Sequence, residues 1–234
     1  KPHHCVYRFN WGATQAAVFV GDPKSSGSGG AKLNAPRGVA VDGEGNVYVA
    51  DRGNARVAAF KPDGSPLGEI KVANPDQVQV HPGSGAVYVT AGGPGKRELL
   101  KFNSIGDSSP ACRTAVPMHR KDNASMLALD STSQPPVIWY SHPRNKFTGG
   151  FKALRITDKG TAFGDKEPLA KVAGIKGGLG PVTLTSFNRA SGKLLVNNMS
   201  FDPASGKLSD GLGSGPSAGS VSCIGTKKGM GGAG

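Results

Sequence analysis

The chain has 234 residues, with 36 glycines and 17 prolines, roughly twice the usual share of these two residue types. Aromatic residues make up 6% of the chain, charged residues 19%, and the formal net charge is +12. This composition excludes a coiled coil and argues against a doubly wound α/β fold, because both need long uninterrupted helices. The hydrophobic fraction of 37% is too high for a wholly disordered chain, and the length suits one all-β domain.

The strong positive charge favours acidic partners, which include nucleic acid, anionic lipid, anionic polysaccharide and the acidic surface of another protein. Charge alone does not choose among them. We expect no transmembrane segment, because no run of apolar residues approaches 18. The cysteines Cys5, Cys112 and Cys223 are far apart and form no Cys-x-x-Cys pair, which leaves a zinc ribbon unsupported. One long-range disulfide with a free thiol, or three free thiols, both remain open.

The chain begins with a short strand-like region. Residues 5–9 and 16–20 predict two strands, and the segment up to residue 32 is a loop rich in glycine and serine. We interpret residues 1–32 as the two outer strands of a partial structural unit followed by this loop.

The next segment has the clearest pattern. Val39 and Val41 alternate with small residues and predict a first strand, and further strands are predicted at 47–50, 56–60 and 68–72. Turn-forming residues separate them, first Asp42-Gly43-Glu44-Gly45-Asn46 and then Asp51-Arg52-Gly53-Asn54. Four short strands joined by tight turns within about 40 residues are typical of one β-propeller blade.

The same pattern recurs along the chain at a spacing close to 40 residues. Pro36 recurs as Pro75, Tyr48 as Tyr88, and the strand of Phe60 as that of Phe102. Weaker copies have predicted strands at 126–130, 137–140 and 153–156, and then at 182–185 and 194–196. We therefore predict four repeats besides the N-terminal pair of strands.

Residues 33–60 resemble an NHL repeat, a propeller-blade family with the pattern Pro-x-Gly-Val-Ala-Val-Asp, Gly-Asn-Val-Tyr-Val-Ala-Asp, x-Asn-x-Arg-Val. The resemblance implies an all-β propeller of NHL type with four to six blades of four short antiparallel strands. The ring is either closed by pairing between N-terminal and C-terminal strands or incomplete in this chain. We divide the chain into residues 1–32, the blades at 33–210 and a glycine-rich tail at 211–234.

Five residues are predicted to shape turns. Asp42, Glu44 and Asn46 have the spacing of a calcium loop, but Val47 stands where such a loop needs glycine, so we interpret the segment as a hairpin turn. The resemblance implies structural roles for Asp51, Asn54 and Arg56. The predicted turn residues are Asp42, Asn46, Asp51, Asn54 and Arg56.

Basic loop residues are the candidates for contact with a partner. In some families with this fold the loop after the second strand lies on the binding face, which implies such a role for Arg52. Other basic residues are densest between 96 and 176. The pairs at 120–121 and 144–146 lack the flanking aromatic residues that favour single-stranded nucleic acid, and only Trp139, Tyr140 and Phe147 are near. The candidate residues are Arg52, Lys96, Arg97, Arg120, Lys121, Arg144 and Lys146.

A zinc or calcium ion is the one cofactor that the sequence leaves open; none is otherwise predicted. His3 and Cys5 would lie on the same face of a strand, since side chains alternate, and further ligands would have to come from later blades. A peptide-amidating lyase that shares the NHL fold holds a metal at the propeller axis. The metal-binding motif of that lyase is not matched in this sequence. The candidate ligands are His3, Cys5, His81, His119 and His142.

We assign no catalytic residue and predict a non-enzymatic protein-binding or scaffolding propeller, a subunit of a larger extracytoplasmic assembly with an acidic protein partner or copies of itself. The compartment expected from the family is extracellular or periplasmic. Two alternatives stay open: a metal-dependent enzyme of the lyase or lactonase kind, and RNA binding through a basic propeller face.

Overall fold

The structure is a computed structural model that describes residues 3–10, 12–93, 95–118, 125–141, 153–173, 185–188, 190–196, 199–203 and 205–211. These residues form one two-stranded sheet and four four-stranded sheets. The two-stranded sheet, called here the N-terminal pair, consists of β1 (His4–Arg8) and β2 (Ala17–Asp22).

The four-stranded sheets follow one another along the chain and are called blades 1 to 4. Blade 1 consists of β3 (Pro36–Val41), β4 (Val47–Asp51), β5 (Arg56–Phe60) and β6 (Pro66–Lys71). Blade 2 consists of β7 (Pro75–Val80), β8 (Val87–Ala91), β9 (Arg97–Phe102) and β10 (Cys112–Val116). Blade 3 consists of β11 (Met126–Asp130), β12 (Val137–Ser141), β13 (Leu154–Asp158) and β14 (Phe163–Pro168), followed by a short helix α1 (Leu169–Val172). Blade 4 consists of β15 (Thr185–Asn188), β16 (Lys193–Val196), β17 (Met199–Phe201) and β18 (Leu208–Gly211).

Each blade is an antiparallel meander in which consecutive strands pair. The first strands of the blades, β3, β7, β11 and β15, contact one another in that order. They line a common cavity of about 610 Å³, so they are the inner strands around an axis. The predicted all-β propeller with blades of four short antiparallel strands is confirmed.

Alternating side chains of each strand pack against opposite neighbours. In β4, Tyr48 and Ala50 lie in the cluster shared with blade 2, whereas Val49, with Val47 at its edge, joins Val20 of the N-terminal pair. This is the two-residue period of a strand that is buried on both faces. Both faces of blade 1 are therefore covered, one by the N-terminal pair and the other by blade 2.

The same arrangement continues through the later blades. Leu99 of blade 2 and Ile138 of blade 3 lie in one cluster, and Trp139 of blade 3 and Leu194 of blade 4 lie in the next. All four side chains are completely buried. Burying side chains of this size contributes about 1.5–3 kcal/mol each, so the apolar contacts between blades are the main source of stability.

A glycine allows the inner strands of blades 1 and 2 to approach closely. A Cβ atom at Gly38 of β3 would lie 2.8 Å from the Cα of Gln77 and 2.9 Å from the backbone oxygen of Asp76. No side chain fits at this separation, so the glycine of the Pro-Arg-Gly motif is required by packing rather than by backbone angles.

Some strands of the structure differ from those predicted from the sequence. The sequence did not predict β10, β14, β17 or β18. Of the strand predicted at 182–185, residues 182–184 lie outside the described residues, and residue 185 begins β15. Most of the predicted tail, residues 212–234, lies outside the described residues. Within the described part of the chain, no helix is long and apolar enough to cross a membrane.

Candidate functional site

Three arginines meet at one end of blades 1 and 2. We call this end the loop face, because it carries the β4–β5 and β8–β9 connections, and we define the arginine cluster as Arg37, Arg52 and Arg97 around Asp76. Arg37 and Asp76 lie near the starts of the inner strands β3 and β7, Arg52 lies in the β4–β5 turn, and Arg97 begins β9. Four separate segments of two blades therefore build the cluster.

Asp76 is the buried anchor of the arginine cluster. Its Oδ2 accepts hydrogen bonds from the backbone N–H of Ser125 at 2.8 Å and from the Ser125 hydroxyl at 2.7 Å. The same oxygen lies 3.1 Å from Nη1 of the fully buried Arg97 side chain. Ser125 also shares a hydrogen bond of 2.9 Å with the hydroxyl of Thr90. These contacts fix the carboxylate and tie blade 2 to the start of blade 3.

The other two arginines lie closer to solvent. The side chain of Arg37 is 40% exposed, and its Nη1 lies 3.7 Å from Oδ1 of Asp76. The half-buried Arg52 donates from Nη1 to the backbone oxygen of Asn74 at the long distance of 3.4 Å. Burial and the positive charges of Arg37 and Arg97 lower the pKa of Arg52, while Asp76 opposes this effect. Arg52 therefore stands in a positive local potential.

The other predicted partner contacts separate into two groups. Lys96 immediately precedes β9 and is exposed at the loop face, next to Arg97. Arg97 itself is buried, so its position suits holding the cluster together rather than touching a partner directly. The remaining four candidates lie outside the described residues: Arg120, Lys121, Arg144 and Lys146.

Asp51 is the centre of a buried network beside the arginine cluster. Its Oδ1 accepts from the backbone N–H of Asn34 at 2.7 Å, and its Oδ2 accepts from the Asn54 amide at 2.7 Å and from Nε of Arg56 at 2.9 Å. The carboxylate thus holds the β4–β5 turn and the chain that enters blade 1.

Arg56 extends this network in two directions. Its Nη1 donates to Glu69 at 2.7 Å, and its Nη2 donates to the backbone oxygen of Lys32 at 2.8 Å. Burial works against the charged form, but the hydrogen bonds to Glu69 and Asp51 more than offset it and raise the pKa of Arg56. Arg56 therefore stays charged and connects blade 1 to the loop that precedes it.

Asp42 organises the turn at the opposite end of blade 1. Its carboxylate accepts from the backbone N–H groups of Glu44 and Asn46, both at 2.9 Å, and from the Asn46 amide at 2.9 Å. Burial alone would raise the pKa of Asp42, but these hydrogen bonds lower it. The hydroxyl of Tyr48 also donates a hydrogen bond to this carboxylate. Burial and the nearby charge of Asp42 raise the pKa of Tyr48 to about 12. The carboxylate oxygens of Asp42 thus accept hydrogen bonds from the residues of this turn and stabilise it.

Those candidate metal ligands that the structure describes do not form one cluster. His3 shares a hydrogen bond with the hydroxyl of Tyr7 at 2.8 Å, and Cys5 is a buried free thiol in the N-terminal pair. His81 lies in the β7–β8 turn, where its Nδ1 accepts from the backbone N–H of Ser84 at 3.1 Å. His119 and His142 lie outside the described residues. No group of three or more His, Cys, Asp or Glu side chains close enough to hold an ion occurs in the part of the chain that the structure describes.

The axial cavity also lacks the donors that such an ion prefers. Most of the residues that line it are apolar, and its polar members are amides and hydroxyls, among them Gln79, Thr185 and Asn188. Zinc binds thiolate, imidazole and carboxylate groups, and calcium usually takes several carboxylates. The described lining therefore does not fit either ion at the axis.

A second cleft, of about 620 Å³, lies between blades 2 and 3 at the end opposite the loop face. Asp158 is buried there and accepts from the Tyr88 hydroxyl at 2.6 Å and from Nζ of Lys101 at 2.8 Å. Burial and this carboxylate raise the pKa of Tyr88. Burial, followed by Asp158, also raises the pKa of the Cys112 thiol. The charges in this cleft are largely paired with each other, and the thiol is not activated.

Sequence reasoning missed two members of the arginine cluster, Arg37 and Asp76. Both follow the proline that begins an inner strand, so the repeat alignment contained the signal that they would be neighbours. It also missed a Gly-x-Ser-x-Gly pentapeptide at residues 215–219, which lies outside the described residues.

Comparison with known proteins agrees with this architecture. Residues 33–60 match the family model of the NHL repeat. A segment of 41 residues is 56% identical to the E3 ubiquitin-protein ligase TRIM71 of Rattus norvegicus and, to the same extent, to that of Mus musculus. The match covers 18% of this chain and only 5% of those relatives, so it concerns about one blade.

Two solved structures resemble the fold as a whole. A chain of a nidogen/laminin complex has a TM-score of 0.54 and 15% identity, over 83% of this chain and 68% of that one. A gluconolactonase from Xanthomonas campestris has a TM-score of 0.51 and 16% identity, over 82% of this chain and 63% of that one. At this identity the likeness shows the propeller fold alone.

Proposed function

We propose that this chain, a β-propeller with an NHL repeat, is a non-enzymatic protein-binding module that holds its partner on the loop face. The observation that carries the proposal is the arginine cluster. Its side chains come from four segments of two blades, and the buried Asp76 lies within ion-pair distance of Arg37 and Arg97, which holds this part of the cluster in place before a partner arrives. Loops presented by a rigid scaffold are the usual place for binding residues.

The charge of the chain supports a partner with an acidic surface. The net charge of +12 attracts negatively charged proteins over long range, and a half-buried cluster strengthens short-range contacts. Lys96 adds a further exposed cation at the same end of blade 2.

The N-terminal pair supports a place in a larger assembly. Among the described strands, β1 and β2 pair with each other and with no third strand. Tyr7, Phe9 and Val18 in this region are exposed. Open strand edges and apolar side chains of this kind are usually covered by another segment or another molecule. The extracellular or periplasmic compartment stays a prediction from the sequence.

Charge reversal at the two ends of the blades tests the proposal. The chain with Arg52→Glu and Lys96→Glu is compared with a matched variant, Lys61→Glu and Lys159→Glu, whose changes lie at the opposite end. A partner captured by the unmodified chain is purified, and its binding to all three proteins is measured by calorimetry. We expect the loop-face variant to lose binding and the matched variant to keep it.

Two results would contradict the proposal. Equal loss of binding in both variants would show attraction by net charge rather than by the loop face. Turnover of a lactone by the purified chain, together with stoichiometric zinc or calcium, would place the protein among the enzymes instead.

A further inference from the structure

The electrostatics of Arg52 distinguish it from the rest of the arginine cluster. Its strongest charged neighbours are Arg37, Asp76 and Arg97, two guanidinium groups and one carboxylate. The carboxylate is already engaged by the Ser125 hydroxyl at 2.7 Å and lies 3.1 Å from Arg97. The surroundings of Arg52 are therefore positive on balance, which disfavours its own charge and favours the approach of an anion.

The geometry of a guanidinium group suits a carboxylate. Arginine offers parallel N–H donors that match the two oxygens of a carboxylate, and such charge-assisted hydrogen bonds are short and strong. The hydrogen bond that the structure records for Arg52 is long, 3.4 Å to the backbone oxygen of Asn74, and costs little to replace. Arg52 is half-buried, so an anion that reaches it is partly shielded from water and salt.

The surface around the cluster favours a peptide over single-stranded nucleic acid. Non-specific binding of single strands uses aromatic side chains on which bases stack. The exposed aromatic side chains among the described residues are Tyr7 in β1 and Phe9 just after β1, and neither lies in the β4–β5 or β8–β9 connection. The described part of the loop face thus offers guanidinium groups without an exposed aromatic side chain on which a base could stack.

We propose that Arg52, with Arg37 and Arg97 near it, is the receptor for an aspartate or glutamate side chain in an acidic segment of the protein partner. This inference rests on the protein-binding function proposed above. It makes Arg52 the residue that selects the partner, while Asp76 and Arg97 hold the site in place.

A peptide titration tests the inference on the 234-residue chain. The probes are a fluorescein-labelled deca-glutamate peptide, its deca-glutamine counterpart and a labelled oligouridylate of ten nucleotides. Anisotropy is measured for the unmodified chain, Arg52→Gln, Arg52→Lys and Lys61→Gln, at low and at physiological salt. The Lys61 variant removes the same charge at the opposite end of blade 1, and thermal unfolding checks that all variants are folded.

The expected result is at least about tenfold weaker deca-glutamate binding for Arg52→Gln, a smaller loss for Arg52→Lys, and less than about twofold loss for Lys61→Gln. Deca-glutamine should not bind. Equal loss in Arg52→Gln and Lys61→Gln, or no binding of deca-glutamate by any form, would overturn the inference. Tighter binding of oligouridylate than of deca-glutamate, lost in Arg52→Gln, would overturn it in favour of a phosphodiester ligand.

The natural partner separates this inference from the proposed function. One outcome is that the purified partner binds the Arg52→Gln chain with unchanged affinity but fails to bind the variant with Arg52→Glu and Lys96→Glu. In that case the binding function stands, and the assignment of Arg52 as the carboxylate receptor is wrong. If the partner is insensitive to every loop-face change, the proposed function itself is wrong.

Discussion

Arg37 and Asp76 occupy the same position in successive repeats, and their side chains meet at 3.7 Å where the inner strands of blades 1 and 2 run side by side. Each follows the proline that begins its strand, Pro36 or Pro75. A repeated position thus carries a cation in one blade and its counter-ion in the next. The pairing joins the two blades at the loop face and places the other arginines around a single carboxylate.

The close approach of these inner strands predicts a cost for any side chain at Gly38. We expect Gly38→Ala to lower the free energy of unfolding by about 1–3 kcal/mol, because the new methyl group would force β3 and β7 apart. Urea unfolding followed by circular dichroism measures the change. The control is Gly93→Ala, where nothing lies within 4 Å of the added carbon, and where an equal loss would show that the effect is not one of packing.

The buried pair of Arg56 and Asp51 predicts a larger loss. We expect Arg56→Met to cost about 3–5 kcal/mol, because it leaves the carboxylate of Asp51 buried without its ion partner. The matched control is Arg155→Met, which removes a longer and more exposed pair with Glu167 at 3.4 Å and should cost less than about 1 kcal/mol. Similar values for the two variants, measured by chemical unfolding, would contradict the structural role of Arg56.

The apolar contacts between blades predict unequal effects for two leucines. Leu99 is completely buried between blades 2 and 3, whereas Leu67 on the outer strand of blade 1 is 39% exposed. Leu99→Ala should cost about 2–5 kcal/mol, since it removes apolar burial and leaves a cavity. Leu67→Ala should change the stability by no more than about 0.5 kcal/mol. Equal effects in thermal unfolding would mean that blades 2 and 3 are not packed as described.

The turn at Asp42 predicts a dependence of stability on pH. Hydrogen bonds lower the pKa of its carboxyl below the ordinary value of 3.8, so near that pH the folded chain binds fewer protons than the unfolded chain. The stabilisation is present above the unfolded pKa and is lost as the pH falls through the lowered folded value.

Asp42→Asn tests this dependence, because the variant keeps one acceptor oxygen but cannot titrate. We expect the unmodified chain to lose more stability than the variant between pH ~5 and pH ~2.5 in urea unfolding. Asp22, Asp63 and Asp107 also have lowered pKa values, but they contribute equally to both proteins. Parallel curves for the two proteins would show that Asp42 carries no part of the acid sensitivity.

The first blade could be predicted from the sequence because its strands and turns are both explicit. Val47, Tyr48 and Val49 alternate between two buried faces, and Gly45 supplies a positive φ of 85° at the turn. The outer strand β14 has no such pattern, since its residues are mostly half-buried or exposed. Its amphipathic signal is therefore weak, and pairing with β13 decides its conformation.

The candidate site could be predicted only in part, because it depends on contacts between repeats. The family resemblance implied a partner contact at Arg52, but the environment of this side chain comes from Asp76 and Arg97 in the next blade. The bond from Tyr88 to Asp158 joins residues 70 positions apart, and no local pattern in the sequence indicates it. Repeat spacing gives the equivalent positions, whereas the side chains that meet across blades emerge from the packing of the inner strands.

Hydrogen exchange of the natural complex tests the central claim most directly, since it maps the surface that the partner covers. Backbone amides of the chain are compared with and without the purified partner. We predict slower exchange in the β4–β5 turn around Arg52–Asn54 and in the connection leading to Arg97. Protection confined to the turns at the opposite end, those of Asp42 and His81, would contradict the assignment of the loop face as the binding surface.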